Sequence, residues 1–289
     1  MRLGISLPMF TADVRRPLAT AARAAAAGYA GAFAPDHLFP PGAPDRPALE
    51  PFTVLASVAV AHPDLHVGTL VSRASLRPPG LLAKLAAGLD QLSGGKAILG
   101  LGAGDSVSRA EHEMFGIPFA GAAERVAVLQ ETAEALRALF AGDPWPGGGH
   151  VPPIAGPILP TGSPALWIGG RSDRVIAAAG RVADGWNGWA LDADAFEGSV
   201  QELRRVAGER TVVPTWGGIV LAGDDAAHLD RLRAERRERG LTMDDVWQGT
   251  LEDLRRFAGR LGESGCEWLV IMPVGGDERI EAVAAAFRG

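Results

Sequence analysis

Short apolar runs and longer Ala/Leu/Arg-rich stretches alternate along this chain eight times, a rhythm that constrains the fold more than any single motif. The runs at 3–7, 31–34, 66–71, 97–101, 165–168, 184–186, 212–221 and 267–272 read as strands. Residues 17–27, 52–61, 78–92, 122–140, 173–181, 193–207, 225–239 and 278–287 carry helical patterning. Gly28 stands at a C-cap position, Pro78 in a first turn, and Thr250 with Asp253 forms a capping box opening a further helix to Glu263. Alternating βα units imply a parallel sheet. Eight of them suit a closed (β/α)8 TIM barrel better than an open doubly wound sheet, although periodicity alone does not separate the two. A Pro/Gly-rich segment at about 142–164 interrupts the rhythm and reads as an irregular insertion, with a short hairpin, inside one domain spanning 1–289.

The charge pattern removes several function classes. With a net charge of -6 and only two lysines, Lys84 and Lys96, the chain lacks the concentrated basic footprint of a nucleic-acid binder. The arginines from 231 to 239 alternate with Glu235 and Glu238 and read as a solvated helix face. Cys266 has no partner for an internal disulfide, no apolar run nears the ~20 residues that span a bilayer, and the N-terminus carries no signal-peptide pattern. A cytoplasmic protein with no membrane partner is expected. The six histidines show no metal-binding spacing, so no metal is expected, and His112, between Glu111 and Glu113, reads as solvated.

In a barrel the chemistry lies where strands end and βα loops begin. Asp36-His37 follows the second strand, and a histidine there can exchange a proton near neutral pH while a neighbouring polar group fixes its tautomer. The plainer reading is a structural histidine bonding its loop. The run Gly100-Leu101-Gly102-Ala103-Gly104-Asp105 follows the fourth strand, and its glycines let backbone approach a ligand. It resembles the first motif of Rossmann-type methyltransferases, but three βα units precede it and no strand ending in an acidic residue follows. Gly169-Gly170-Arg171-Ser172-Asp173 reads equally as a phosphate cradle or as a plain helix cap on Ser172 or Asp173. Trp186 and Trp189 are candidates for stacking on a planar ring, with ordinary packing the commoner role.

Together these strings resemble the luciferase-like monooxygenase superfamily over nearly the whole chain. The resemblance is carried by Val67-Gly68-Thr69-Leu70-Val71, by Leu89-Asp90-Gln91-Leu92-Ser93-Gly94-Gly95-Lys96 running to the glycine loop, and by Asp36-His37-Leu38. Phe115-Gly116-Ile117-Pro118-Phe119, Ile168-Gly169-Gly170 and Ala183-Asp184-Gly185-Trp186-Asn187 add to it. It implies a barrel that binds FMN or the deazaflavin coenzyme F420 at the top, and relatives that are often homodimers. In the deazaflavin branch it implies that Asp36 meets the coenzyme and that His37 acts as a base on a substrate alcohol. It also implies a non-prolyl cis peptide at Leu70–Val71, with Ser72 beside it. Gly102, Ala103, Gly104 and Ser108 then become coenzyme contacts, and Gly169, Gly170, Arg171 and Ser172 a phosphate-binding loop. Asp105 takes the place of the family's acidic proton donor, one methylene short. Asp105 also replaces a common tryptophan, which points to F420 rather than FMN. Arg73 replaces a small or amide residue and either binds an anionic substrate group or caps the loop. The expected activity is hydride transfer between the deazaflavin and a small organic substrate. The alternatives are an FMN-dependent monooxygenase and a non-catalytic flavin-binding barrel.

Overall fold

A computed structural model describes residues 1–288. The strands are β1 (Arg2–Ser6), β2 (Gly31–Ala34), β3 (His66–Arg73), β4 (Ala97–Gly102), β5 (Ala165–Gly169), β6 (Gly185–Trp189), β7 (Val213–Gly223), β8 (Val246–Thr250) and β9 (Trp268–Pro273). The helices are α1 (Arg15–Ala27), α2 (Pro51–Ala61), α3 (Pro79–Leu92), α4 (Arg109–Met114), α5 (Ala122–Ala141), α6 (Asp173–Val182), α7 (Ala193–Ala207), α8 (Ala226–Glu238), α9 (Leu251–Glu263) and α10 (Glu278–Ala286). None of them is long and apolar enough to cross a membrane, among the described residues.

Strands β1 to β6 pair in chain order, β6 pairs β7, β7 pairs β9, and β9 returns to β1. Every one of these pairings is parallel, so eight strands close into a (β/α)8 barrel. The sequence rhythm marks these eight and omits β8. Ile219 and Val220 pair with β9 on one edge and with β8 on the other, so β8 takes over the edge of β7 beyond the end of β6. Its sequence, VWQGT, is mostly half-exposed, as befits a strand outside the closed ring.

Two apolar layers follow from the alternation of side chains along each strand. Ile5, Leu99, Ile168 and Leu269 face outward and pack with helical Leu55, Leu82, Leu136 and Leu203. Inside, Phe33, Leu70, Ile98, Trp167, Trp268 and Val270 form a separate buried cluster drawn only from strands. Phe33 stacks on Trp167 at 5.6 Å, and Trp268 meets both edge-on at 5.7 and 5.8 Å. Rings of this size fit because neighbouring strands present glycine: a methyl at Gly4 would lie 2.7 Å from Phe33, and one at Gly185 2.6 Å from Trp167. The lumen is thus filled, and ligands are left the rim.

Local signals set the helix ends. Gly28 closes α1 at φ 88°, its N–H reaching the carbonyls of Ala24 and Ala25. Asp192 and Asp225 cap α7 and α8, and Thr250 and Asp253 form the reciprocal box at the start of α9. The 142–164 segment holds one antiparallel bridge, Trp145 to Ile154, and drapes over α3 and α5. Glu131 of α5 accepts from the N–H groups of Gly149, His150 and Val151, and Gln91 of α3 donates to the Thr161 carbonyl.

Candidate active site

The C-terminal ends of the parallel strands share one rim, where register aligns Arg73 with Gly102, Gly102 with Gly169, Gly169 with Asn187 and Asn187 with Thr215. His37 enters this rim three residues after β2 ends. Its ring is 29% exposed, and its Nδ1 lies 2.8 Å from Glu111 Oε1. Glu111 comes from α4, is fully buried, and accepts at Oε2 from the Leu38 N–H at 2.6 Å and from Arg73 Nη2 at 2.7 Å. Burial pushes its carboxyl pKa up, but hydrogen bonds from His37, Leu38 and Arg73 outweigh burial and bring it down to about 2. An ionised carboxylate only accepts. The His37 Nδ1 therefore donates, and in the neutral ring Nε2 keeps a free lone pair.

Asp36 turns away from that nitrogen. It is buried, one carboxylate oxygen takes the Ser72 hydroxyl and Arg77 Nη1, and the other takes Arg77 Nη2 at 3.2 Å. Arg77 also reaches Glu50 at 3.1 Å and lies over the Phe52 ring. The group orienting His37 is therefore Glu111, far along the chain, and not its sequence neighbour. Arg73 is only 4% exposed, and its Nη2 donates both to Glu111 and to the Asp36 carbonyl, which ties the loop after β2 to β3.

Strand β3 carries a bulge opposite β4: Thr69 pairs with Leu99 and Ser72 with Leu101, which leaves two residues on one strand against one on the other. The Leu70–Val71 peptide inside it is cis. Leu70 drops into the lumen cluster while Val71 stands half-buried at the rim. A methyl on Gly102 would lie 2.6 Å from Val71 Cγ2, and one on Gly169 2.7 Å from Cγ1. These two glycines make room for Val71 itself.

The profile of the family described as luciferase-like monooxygenase matches residues 1–284. The chain belongs to that family. An uncharacterised protein of Mycobacterium tuberculosis is 31% identical over 212 residues, 67% of this chain and 71% of its own. An F420-dependent secondary alcohol dehydrogenase, solved with an F420–acetone adduct, superimposes with a TM-score of 0.84 at 16% identity, covering 100% of this chain and 99% of that one. The EDTA monooxygenase of Chelativorans sp. BNC1 gives 0.79 at 16% identity, covering 99% and 93%. Such likenesses carry the barrel fold alone.

Elsewhere on the rim of this luciferase-like barrel, Asp105 is exposed, and its Oδ1 takes the N–H of Ser108 at 3.1 Å and its hydroxyl at 3.0 Å. That reciprocal box opens the 3-10 turn Ser106–Ser108, which follows Ala103 and Gly104 and leads into α4. Ser172 caps α6, accepting from the Val175 N–H, and the preceding Gly170 carbonyl takes the Trp186 indole N–H at 2.9 Å. Arg171, about half exposed, pairs with Asp245 at 2.8 Å. Trp186 is fully buried against Phe196, so it packs and does not stack on a ligand, while Trp189 lies at the edge of the lumen cluster.

His112 corrects the sequence reading. It is 1% exposed, with Nδ1 3.0 Å from the Pro118 carbonyl and the Phe119 ring at its edge. The polar run that suggested solvent is a short helix with one face turned into the protein. Glu111 sits on the same turn and was missed for the same reason: in sequence it is indistinguishable from Glu113, which is exposed. At the other end of the barrel a shallow concavity lined by Met1, Arg255, Ala258, Gly262 and Phe287 holds none of these groups.

Proposed function

We propose that this luciferase-like chain is a coenzyme F420-dependent oxidoreductase that moves a hydride between the deazaflavin and a small alcohol or carbonyl compound. The observation that carries the reading is His37, whose Nδ1–H is held by buried, ionised Glu111 while Nε2 is left free at the barrel rim. A histidine so fixed removes the hydroxyl proton of an alcohol as its carbon gives up a hydride, and returns it in the reverse direction.

The residues at hand fit a planar ring. Val71 offers it an apolar back-stop, raised by the β3 bulge into the gap left by Gly102 and Gly169. Leu70 and Ser72 fix that bulge, one in the lumen cluster and the other on Asp36. The ring supplies the hydride acceptor or donor when bound. Gly102, Ala103 and Gly104 form the adjoining wall. Asp105 and Ser108 hold this loop in shape through their capping box, which uses Asp105 Oδ1 and leaves its carboxylate exposed at the place of the family's acidic proton donor. The turn Gly169, Gly170, Arg171 and Ser172, at the N-terminus of α6, would hold the anionic tail of the coenzyme. Asp36 works through Arg77 and Ser72, setting the His37 loop against β3.

Replacing His37 tests the assignment. His37→Ala is expected to bind F420 as the parent does and to lose about 10²–10⁴ in turnover with a responsive ketone or alcohol, the usual worth of a positioned proton-transfer group. Full turnover in the folded variant removes His37 from the chemistry.

A further inference from the structure

We infer that Arg73 is a positioning residue for His37, acting through Glu111: it holds the carboxylate ionised inside the protein and so keeps Nε2 of the imidazole unprotonated and ready to act as a base. The inference rests on the proposed role of His37 and adds to it a residue that touches neither substrate nor cofactor.

Three observations carry it. Glu111 is fully buried, and Arg73 is the cation bonded to it, at 2.7 Å. Arg73 is itself 4% exposed, and its Nε and Nη1 have no hydrogen-bond partner, so this position supplies charge more than it supplies hydrogen bonds. The two oxygens of Glu111 divide the work, Oε2 toward Arg73 and Leu38, Oε1 toward His37. Remove the guanidinium charge and the His37–Glu111 pair becomes a buried anion, which takes up a proton more readily. That proton goes to the ring, or to Oε1 of the carboxyl, whose O–H then donates to Nδ1; in both of these placements Nε2 carries hydrogen and the base is lost.

The other charged groups around it are settled. Asp36 is neutralised by Arg77, which also meets Glu50, and Asp105 caps Ser108 with its charge exposed to solvent. His112, next to Glu111 on α4, is held below its ordinary pKa by burial and bonds Pro118. Phe10, edge-on to His37 at 5.7 Å, brings no charge.

Heteronuclear NMR of the imidazoles in the cofactor-free protein tests this, with His37→Asn assigning the resonance. The parent is expected to show His37 as the Nδ1–H tautomer at neutral pH. Arg73→Gln is expected to raise the titration midpoint of the pair by about one unit or more, a tenfold change in proton affinity, and to move the acid limb of the kcat/KM profile by the same amount. Arg73→Lys, which keeps the charge, is expected to retain the parent tautomer and a midpoint close to the parent's. An Nε2–H tautomer in the parent overturns the inference, as does an unmoved midpoint in folded Arg73→Gln. If Arg73→Gln does not fold, loss of the parent tautomer in folded Arg73→Lys overturns it instead. Because these spectra need no coenzyme, failure of the F420 assignment leaves the result standing, and the reverse holds too.

Discussion

At the scale of single residues, function on this rim depends on which polar groups are already taken. Asp36, the acid next to His37 in sequence, is committed to Ser72 and Arg77. Glu111, 74 residues away, is the one that fixes the imidazole. The sequence makes His37 a candidate because it follows a strand. It hides Glu111 because nothing local distinguishes an acid turned inward on a six-residue helix from its exposed neighbour Glu113. The buried carboxylate also has a signature in stability. Its pKa is about 2 in the folded chain against 4.5 for an unperturbed glutamate. The stabilisation is complete above about pH 4.5 and drains away as pH falls toward 2. At 1.36 kcal/mol per unit it amounts to about 3 kcal/mol. Urea denaturation should therefore find Glu111→Gln less stable than the parent by about 3 kcal/mol at pH 7, with the gap narrowing by pH 3. A gap independent of pH contradicts this.

At the scale of elements, the eight ring strands were legible because each is buried on both faces and bounded by turn residues, which leaves continuous apolar runs. Strand β8 was not. It pairs along one edge only, outside the closed ring, so its residues stay half-exposed and its pattern is weak. The cis Leu70–Val71 peptide is legible only through family resemblance, and the extra residue of the bulge around it appears only in the pairing with β4. The glycine run after β4 reads as room for a ligand, yet the space beside Gly102, and beside Gly169 of β5, is taken by Val71. Gly102→Ala places a methyl 2.6 Å from Val71 Cγ2, an overpacking that costs about 1–3 kcal/mol and displaces the apolar back-stop. Coenzyme affinity should fall about tenfold or more, and Val71→Ala in the same chain should restore most of the lost stability. If the second substitution restores nothing, the two side chains do not compete for that space.

At the scale of the whole molecule, Phe33, Trp167 and Trp268 pack the lumen from strands far apart in sequence, which leaves the rim as the place for chemistry. The groups gathered there come from loops after β2, β3, β4 and β5, and the family to which the chain belongs accounts for their order. The deazaflavin proposed for this rim is tested by an equilibrium titration of the purified protein with F420 and, separately, with FMN, followed by fluorescence or absorbance. Saturable F420 binding, with FMN at least about tenfold weaker (1.4 kcal/mol), is the expected result. Tight FMN binding with no response to F420 contradicts the claim.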